Sequence, residues 1–210
     1  MNVHKRIARY KSEYRRDPAH FELRAHAAGG EPLRLRPLQA ADAEISVRDV
    51  ALLTEWRNKY RSSFLTDFQA TEERTRRWLT TVAGPDPSRI LFMVEAAEGN
   101  PFGHVGLCNV DGTYGELDNL IRGEEGPRGS MLAAALAVCA WARLDLGLER
   151  IGVRVMADNP AVGFYEKLGF RLVKDVALQY GGSAGEGRWM ELDDHTAGAD
   201  RYLRYMEQAA

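Results

Sequence analysis

Cysteine is scarce in this sequence of 210 residues, which contains only Cys108 and Cys139. Cys108 lies in an apolar stretch typical of a strand, and Cys139 lies in one typical of a helix. Neither has a second Cys or a His nearby at a spacing that binds metal. The sequence therefore predicts two buried free thiols, no structural disulfide and no metal site.

An excess of charge of one sign is also lacking, because 28 Lys and Arg residues face 30 Asp and Glu residues, for a formal net charge of -2. Domains that bind nucleic acid usually carry a clear basic surface, so we expect no nucleic acid partner. The longest apolar run, 131–142, is shorter than the roughly 20 residues that cross a bilayer. Residues 1–30 contain no apolar segment of a secretory signal, so we expect no membrane partner and a cytoplasmic location.

The composition, 45% hydrophobic and 28% charged, is that of one soluble domain with room for a short extension. Residues 1–30 are rich in Lys and Arg. The turn residues Gly29, Gly30 and Pro32 mark the boundary between this segment and the rest of the chain. We predict a basic N-terminal extension over 1–30 and the domain proper over 31–210. A solvated helix or a disordered arm is the expected form of the extension, and a contact with an acidic partner or with the phosphates of a ligand is the alternative.

The order of helical and strand-like segments indicates an α/β fold. Apolar runs and alternation predict strands at 33–38, 90–95, 102–110, 114–122, 150–156, 171–180 and 188–192, with a flexible loop before the last. Helical patterns cover 47–64, a segment capped by Thr71, 130–145, 160–168 and 201–208. The last helix, together with His195, is a candidate cap or contact between two copies, so a homodimer is a candidate assembly.

The stretch from Gly129 to Phe170 is the centre of the sequence. Its helix from Ser130 is rich in Ala and Leu and apolar on nearly every side, which indicates a helix buried in the protein. Gly126 and Gly129 precede that helix and let a turn approach a ligand, while the N–H groups of a helix N-terminus attract anions. The stretch therefore predicts a phosphate-binding turn.

The run ADNPAVGFYEKLGF at 157–170 resembles the fourth motif region of the GNAT acetyltransferase superfamily. Members carry an Asn, a small residue and a Tyr-Glu-Lys-Leu-Gly-Phe ending at this spacing, and the resemblance covers about residues 33–195. It implies an α+β fold with a mixed, mostly antiparallel central sheet that is splayed at two strands and flanked by helices. It also implies acetyl-CoA as co-substrate. The alternative is a helix end that only packs Tyr165 and Phe170 into a core.

Acetyl transfer to an amine requires a base, donors that polarise the thioester carbonyl and a proton for the departing thiolate. The resemblance implies a strand-borne carboxylate as base at Glu116, with Asp118 second and His104 third. Tyr165 matches the tyrosine that protonates the thiolate, since a phenol of pKa about 10 can donate to a thiolate near 8.5. Asn159 matches the asparagine that contacts the cofactor or positions this tyrosine.

The two carboxylates lie in a strand that alternation divides into two faces. One face is predicted to hold Glu116, Asp118, Leu120 and Arg122, and the other Leu117, Asn119 and Ile121. Carboxylates are costly to bury in an apolar strand without a purpose, although an edge strand would expose them harmlessly.

The cofactor-binding residues follow from the resemblance. They are Leu120, Ile121 and Arg122, whose backbone would polarise the carbonyl, Gly126, Arg128, Gly129, Ser130 and Met131 at the pyrophosphate, and Asn159 and Phe164. The loop departs from the family pattern, because Gly126 replaces an Arg or Gln and Met131 replaces a small residue. Arg122 or Arg128 can supply the missing charge.

The acceptor is predicted to contact His104 and two residues of the helix over 47–64, Trp56 and Arg57. The alternative for Trp56 is a position in the core. The WRN pattern resembles the branch of ribosomal-protein alanine and amino-sugar acetyltransferases. We predict an N-acetyltransferase acting on the primary amine of a small molecule, with an amino-sugar nucleotide first and a protein N-terminus second. The alternatives are a non-catalytic acyl-CoA-binding module and transfer of another acyl group, such as formyl.

Overall fold

The computed structural model describes residues 2–39, 41–183, 186–192 and 199–208, so His195 lies outside the described residues. The helices in these ranges are α1 (Val3–Glu13), α2 (Pro18–Phe21), α3 (Val47–Lys59), α4 (Glu72–Trp78), α5 (Ser130–Leu144) and α6 (Ala161–Lys167). A π-helical turn, Leu79–Ala83, continues α4. The described part of the chain contains no helix long and apolar enough to cross a membrane.

The strands form one sheet. They are β1 (Leu23–His26), β2 (Pro32–Pro37), β3 (Thr66–Phe68), β4 (Ile90–Glu95), β5 (Pro101–Cys108), β6 (Tyr114–Arg122), β7 (Arg150–Met156), β8 (Arg171–Ser183), β9 (Glu186–Glu191) and β10 (Arg201–Gln208). Their order is β1-β2-β4-β5-β6-β7-β10-β8-β9-β3. Neighbours pair antiparallel except β6 and β7, which are parallel. The predicted mixed, mostly antiparallel sheet flanked by helices is confirmed.

The core lies on both faces of the sheet. Along β4, Ile90, Phe92 and Val94 face the cluster that contains α5, whereas Leu91 and Met93 face the cluster that contains α3. This division follows from the period of two along a strand, and it requires the first five residues of β4, 90–94, to be apolar.

One side of the Ala-rich helix α5 is buried, at Ala134, Ala135 and Val138, but Leu136 and Leu144 on another side are exposed, so the expectation that the helix is buried on nearly every side is wrong. Both cysteines are free and buried, which confirms the prediction for them.

The strands β6 and β7 separate along their length. Their parallel pairing runs from Tyr114 opposite Arg150 to Leu117 opposite Val153 and stops there. Beyond that point β6 continues along β5, and β7 continues along β10. Each strand therefore keeps one neighbour while the gap between them opens, which confirms the predicted splay.

The C-terminal segment 201–208 is a strand, so the predicted helix is wrong. β10 lies between β7 and β8 and pairs antiparallel with both, with Leu203 and Met206 buried. This pairing with segments distant in the sequence overrides the local helical pattern. The loop predicted before the last strand is also shorter than expected, because β8 continues to Ser183 and β9 begins at Glu186.

The N-terminal segment 3–13 is helical, but the expectation that it is only solvated or disordered is wrong. Ile7 is fully buried in the core cluster of α5, and β1 pairs with β2 at the edge of the sheet. The buried ammonium of Lys11 donates to three carbonyl oxygens, those of Ala83 at 2.9 Å, Gly84 at 3.0 Å and Asp86 at 2.6 Å. Lys11 therefore ties α1 to the end of the π-helical turn.

Replacement of Lys11 by Met should lower the free energy of unfolding by about 2–4 kcal/mol, because buried carbonyls lose their donor. Urea unfolding followed by circular dichroism measures the change. Lys5→Met, at an exposed position of the same helix, is the matched control and should change stability by less than about 0.5 kcal/mol. Equal effects of the two substitutions would contradict a specific anchoring role for Lys11.

Candidate active site

A cleft of about 800 Å³ lies where β6 and β7 separate. One wall is formed by α3, by residues 63–70 and by α4, and the other by β6, β7 and the start of α6. Glu116, Asp118 and Tyr165 all line it. The structure thus brings the three residues predicted to be catalytic into one cavity.

The course of β6 changes at Asn119, which has a positive φ of 49°. The register between β5 and β6 shifts here, with Gly106 opposite Asp118 but His104 opposite Ile121. Between these two pairs β6 has one residue more than β5, which makes a β-bulge. The bulge reverses the alternation of the side chains along β6. Leu117 packs in the cluster of α5, whereas Ile121 packs in the cluster of α3. The predicted division of the strand into two regular faces is therefore wrong beyond Asn119.

Glu116 is buried and paired with a cation. Its Oε2 accepts a hydrogen bond from Arg154 Nε at 2.7 Å, and its Oε1 accepts one from the Tyr114 hydroxyl at 3.3 Å. Burial and the neighbouring Glu116 carboxylate raise the pKa of the Tyr114 phenol, so it remains a hydrogen-bond donor at neutral pH. Arg154 stabilises the ionised carboxylate, and Oε1 is the less strongly held oxygen.

Asp118 is also paired with a cation. One of its oxygens accepts hydrogen bonds from Arg89 and, at 2.8 Å, from the side-chain amide of Asn119. Its side chain is more exposed than that of Glu116. Both candidate bases are therefore held in place by arginines that the sequence analysis did not identify. The charged Arg154 in the otherwise apolar run IGVRVM, 151–156, was the available signal for the partner of Glu116.

Tyr165 combines a packed ring with access to the cleft. The ring lies edge-on to Phe164 and Phe170, with centroids 5.7 Å and 6.0 Å away, and the residue is only 7% exposed. Burial, and to a smaller extent the Asp118 carboxylate, raise the pKa of the phenol above its ordinary value. Tyr165 is therefore protonated at neutral pH, as a proton donor must be.

His104 is buried in the wall of the cleft and stacks on the indole of Trp56, with centroids 5.8 Å apart. Its Nδ1 lies 2.5 Å from the carbonyl oxygen of Asn119. A carbonyl can only accept, so Nδ1 carries the proton in the neutral ring. Burial lowers the pKa of His104 to about 4. The imidazole is thus neutral at pH 7, and its low basicity disfavours it as the base.

The predicted acceptor contacts fall in two places. Arg57 and His104 line the cleft, but Trp56 does not and is fully buried. The indole N–H of Trp56 donates to Glu124 Oε1 at 3.2 Å, and its ring packs on Gly123 so closely that a Cβ there would lie 2.0 Å from it. Trp56 is a core residue, as the alternative reading held.

The predicted cofactor residues also divide into two groups. Leu120, Ile121, Arg122 and Asn159 line the cleft, whereas the segment 126–131 and Phe164 lie outside its lining. The Asn159 side chain accepts the backbone N–H of Ala161 at 2.9 Å and so holds the turn that leads into α6, whose N-cap is Pro160.

The turn before α5 leaves backbone amides available to an anion, although one of these amides already has a partner. Gly129 is the N-cap with a positive φ of 77° and, unlike the caps of α1 to α4, provides no side-chain hydrogen bond. The first amides of α5 therefore have no side-chain acceptor. The Ser130 N–H, however, already donates to the Pro127 carbonyl at 3.1 Å. At Gly126 a Cβ would lie 2.6 Å from the Phe102 ring, so packing explains that glycine.

Comparison with protein families matches residues 32–171 to the model of the Acetyltransferase (GNAT) domain. A comparison with curated proteins found no match.

Among solved structures, the chain resembles spermidine N-acetyltransferase from Vibrio cholerae in complex with CoA and spermine, with a TM-score of 0.61, 21% identity, and 84% of this chain and 95% of the other covered. It also resembles FdhC, a nucleotide-linked sugar GNAT in its apo form, with a TM-score of 0.61, 17% identity and 90% of each chain covered. A probable acetyltransferase from Chromobacterium violaceum has a TM-score of 0.64 at 15% identity, with 90% of this chain and 85% of the other covered. At these identities the likeness concerns the fold.

The buried His104 should make the protein sensitive to acid. The pKa is about 4 in the folded state and about 6.5 when unfolded, so the unfolded state binds the extra proton as the pH falls from 6.5 towards 4. Between pH 7 and pH 5 this costs about 2 kcal/mol of stability. Glutamine does not titrate, so the free energy of unfolding of His104→Gln should fall by about 2 kcal/mol less than that of the wild type between pH 7 and pH 5. Urea unfolding at the two pH values measures both changes. An equal loss in both proteins would show that other groups cause the sensitivity.

Proposed function

Because the chain belongs to the GNAT acetyltransferase family and is therefore an acetyl-CoA-dependent N-acetyltransferase, we propose that it acetylates the primary amine of a small molecule in the cleft between β6 and β7. An amino-sugar nucleotide is the first candidate acceptor, and a protein N-terminus is the second. The observation that carries the proposal is the lining of one cleft by Glu116 and Tyr165. A cytoplasmic location and a homodimer remain part of the proposal, and light scattering of the purified protein tests the dimer.

In the proposed mechanism Glu116 accepts the proton of the attacking amine, directly or through water. Arg154 and Tyr114 fix the carboxylate, and Oε1 is the oxygen available for the proton. An aliphatic amine has a pKa of about 10.4 and is mostly protonated at neutral pH, so the reaction needs such a base. Asp118 is the second candidate for this role.

When the thioester bond breaks, Tyr165 donates a proton to the departing thiolate. Its raised pKa keeps the phenol protonated until the thiolate forms. The β7 side of β6 lacks a strand partner beyond Leu117, which leaves the backbone of 120–122 able to polarise the thioester carbonyl. Acetyl-CoA supplies the activated acetyl group, and the uncapped N-terminus of α5 with Arg122 and Arg128 would hold its phosphates.

Incubation of the protein with acetyl-CoA and a panel of amines tests the activity. Release of CoA thiol and the mass of the product should identify at least one acetylated amine. Acetyl-CoA that binds but is not turned over with any amine would instead support the non-catalytic acyl-CoA-binding module. Native mass spectrometry of the purified protein would detect a different bound acyl-CoA.

Tyr165→Phe should lower kcat by roughly 10²- to 10⁴-fold, because the thiolate loses its proton donor, with little change in the KM of acetyl-CoA. Steady-state kinetics with the preferred amine measures this. Tyr202→Phe, at an exposed tyrosine of β10, is the control and should retain full activity. An unchanged kcat in Tyr165→Phe would remove this residue from the mechanism.

Glu116→Gln should lower kcat/KM at pH 7 by roughly 10²- to 10⁴-fold. The deficit should shrink as the pH approaches 10, because the amine then deprotonates without help. Asp118→Asn, measured in parallel, should show the smaller loss. A deficit in Glu116→Gln that stays constant from pH 7 to pH 10 would mean that the residue positions other groups and does not act as the base.

A further inference from the structure

One wall of the cleft contains an arginine held between aromatic rings. The Arg57 guanidinium carbon lies 3.9 Å from the centroid of Phe64 and 4.6 Å from that of Phe68. Phe68 also contacts the guanidinium of Arg74 at 3.6 Å. All four side chains line the cleft, and we call them the Arg57 stack. The rings fix the plane of a rigid, fork-shaped donor.

Arg57 has no acidic partner among the described residues. Its Nη2 donates to the carbonyl and the hydroxyl of Thr66 at 2.5 Å and 3.1 Å, and its Nη1 is buried with no hydrogen-bond partner in the described part of the chain. The nearby Arg61, in contrast, is paired with Asp67. Arg57 is therefore a half-buried cation in the wall of the cleft whose charge no described carboxylate pairs with, which points to an anionic ligand.

The remaining charges of the cleft do not supply that acceptor. Glu116 is paired with Arg154, and Asp118 is paired with Arg89. Arg122 also lines the cleft but is assigned above to the phosphates of acetyl-CoA, so Arg57 is the lining cation that no described carboxylate pairs with. The cleft therefore carries an excess of positive charge, which favours an anionic ligand and disfavours a polyamine.

The position of Arg57 assigns this anion to the acceptor. α3 packs on the face of the sheet opposite the face that holds α5. The phosphate-binding turn at 126–131 belongs to the α5 side and lies outside the cleft lining. A group bound at Arg57 is therefore separated by the sheet from the phosphates held before α5.

We propose that the acceptor carries an anionic group, a carboxylate or a phosphate, in addition to its amine, and that Arg57 binds this group. The inference rests on the proposed function, because it names the class of acceptor for the same cleft. Two parallel N–H···O bonds from a guanidinium suit both carboxylate and phosphate oxygens. Arg74, at the edge of the stack, is paired with Glu186 at 3.0 Å, so Arg57 supplies the uncompensated positive charge of the site.

Matched acceptors test the inference. The pairs glucosamine and glucosamine 1-phosphate, and propylamine and β-alanine, differ by a phosphate or a carboxylate, and spermidine is the cationic comparison. The anionic member of at least one pair should have a kcat/KM higher by roughly 10- to 100-fold, as expected for charge-assisted hydrogen bonds. The pair that responds distinguishes phosphate from carboxylate. Equal use of both members of both pairs, or preference for spermidine, would overturn the inference.

Substitutions at Arg57 assign the effect to this side chain. Arg57→Met should lower kcat/KM for the anionic acceptor towards the value for its neutral counterpart and so remove the preference within the pair. The circular dichroism spectrum and the urea unfolding transition of the variant show that it folds. Arg57→Lys should keep part of the preference, since the charge remains but the fork is lost. Arg48→Met, an exposed position of α3 outside the cleft, is the matched control. A preference that survives Arg57→Met would refute the assignment.

Calorimetric titration with inorganic phosphate and with acetate separates this inference from the proposed function. Wild type and Arg48→Met should bind at least one of these anions roughly tenfold more tightly than Arg57→Met. This result in a protein that acetylates no amine would support the anion site while the proposed function fails. Acetylation without any Arg57-dependent anion binding would support the function and overturn the anion site.

Discussion

The end of the parallel pairing between β6 and β7 is the constraint on which the site depends. Four residue pairs, from Tyr114 with Arg150 to Leu117 with Val153, hold the strands together before they diverge. The outer neighbours β5 and β10 continue to pair with them, so each strand keeps one partner while its edge that faces the gap is left without a strand partner. The bulge at Asn119 adds to this divergence because it turns Ile121 towards the α3 side. The backbone thus creates a cleft inside a continuous sheet.

Charge pairing controls what the opened strands present to the cleft. Two carboxylates on an inner strand would be unstable if unpaired, and Arg154 from β7 and Arg89 from the segment before β4 neutralise them. This pairing crosses the gap in the case of Glu116, whose partner stands on the opposite strand. The same interaction that makes a buried carboxylate tolerable also fixes its orientation. Arg57 lacks this compensation among the residues that the structure describes, and for that reason its environment differs from that of the paired arginines.

The sequence predicted the parts of the fold that depend on neighbouring residues. The Ala-rich α5, the β-branched β7 and the capped α4 each contain their own pattern. β10 could not be predicted this way, because Leu203 and Met206 are buried by strands distant in the sequence. The bulge at Asn119 and the pairing of Glu116 with Arg154 likewise depend on the register between strands. The N-terminal helix appeared solvated because its charges outnumber the few residues, such as Ile7, that bury it.

Contacts at both ends of α3 fix the position of one wall of the cleft. At its start, the buried Asp49 accepts two hydrogen bonds of 2.9 Å from Arg36, which also donates to Glu95 on β4 at 2.7 Å. At its end, the Tyr60 hydroxyl donates to the Arg122 carbonyl at 2.8 Å. α3 is thus fixed to the sheet at both ends, whereas the rings that hold Arg57 lie on the irregular segment and short strand that follow. The segment 63–70 is held in turn by the pairing of β3 with β9 and by the bonds between Ala70 and Asn58, so the wall that carries Arg57 is positioned by contacts separate from those that hold Glu116.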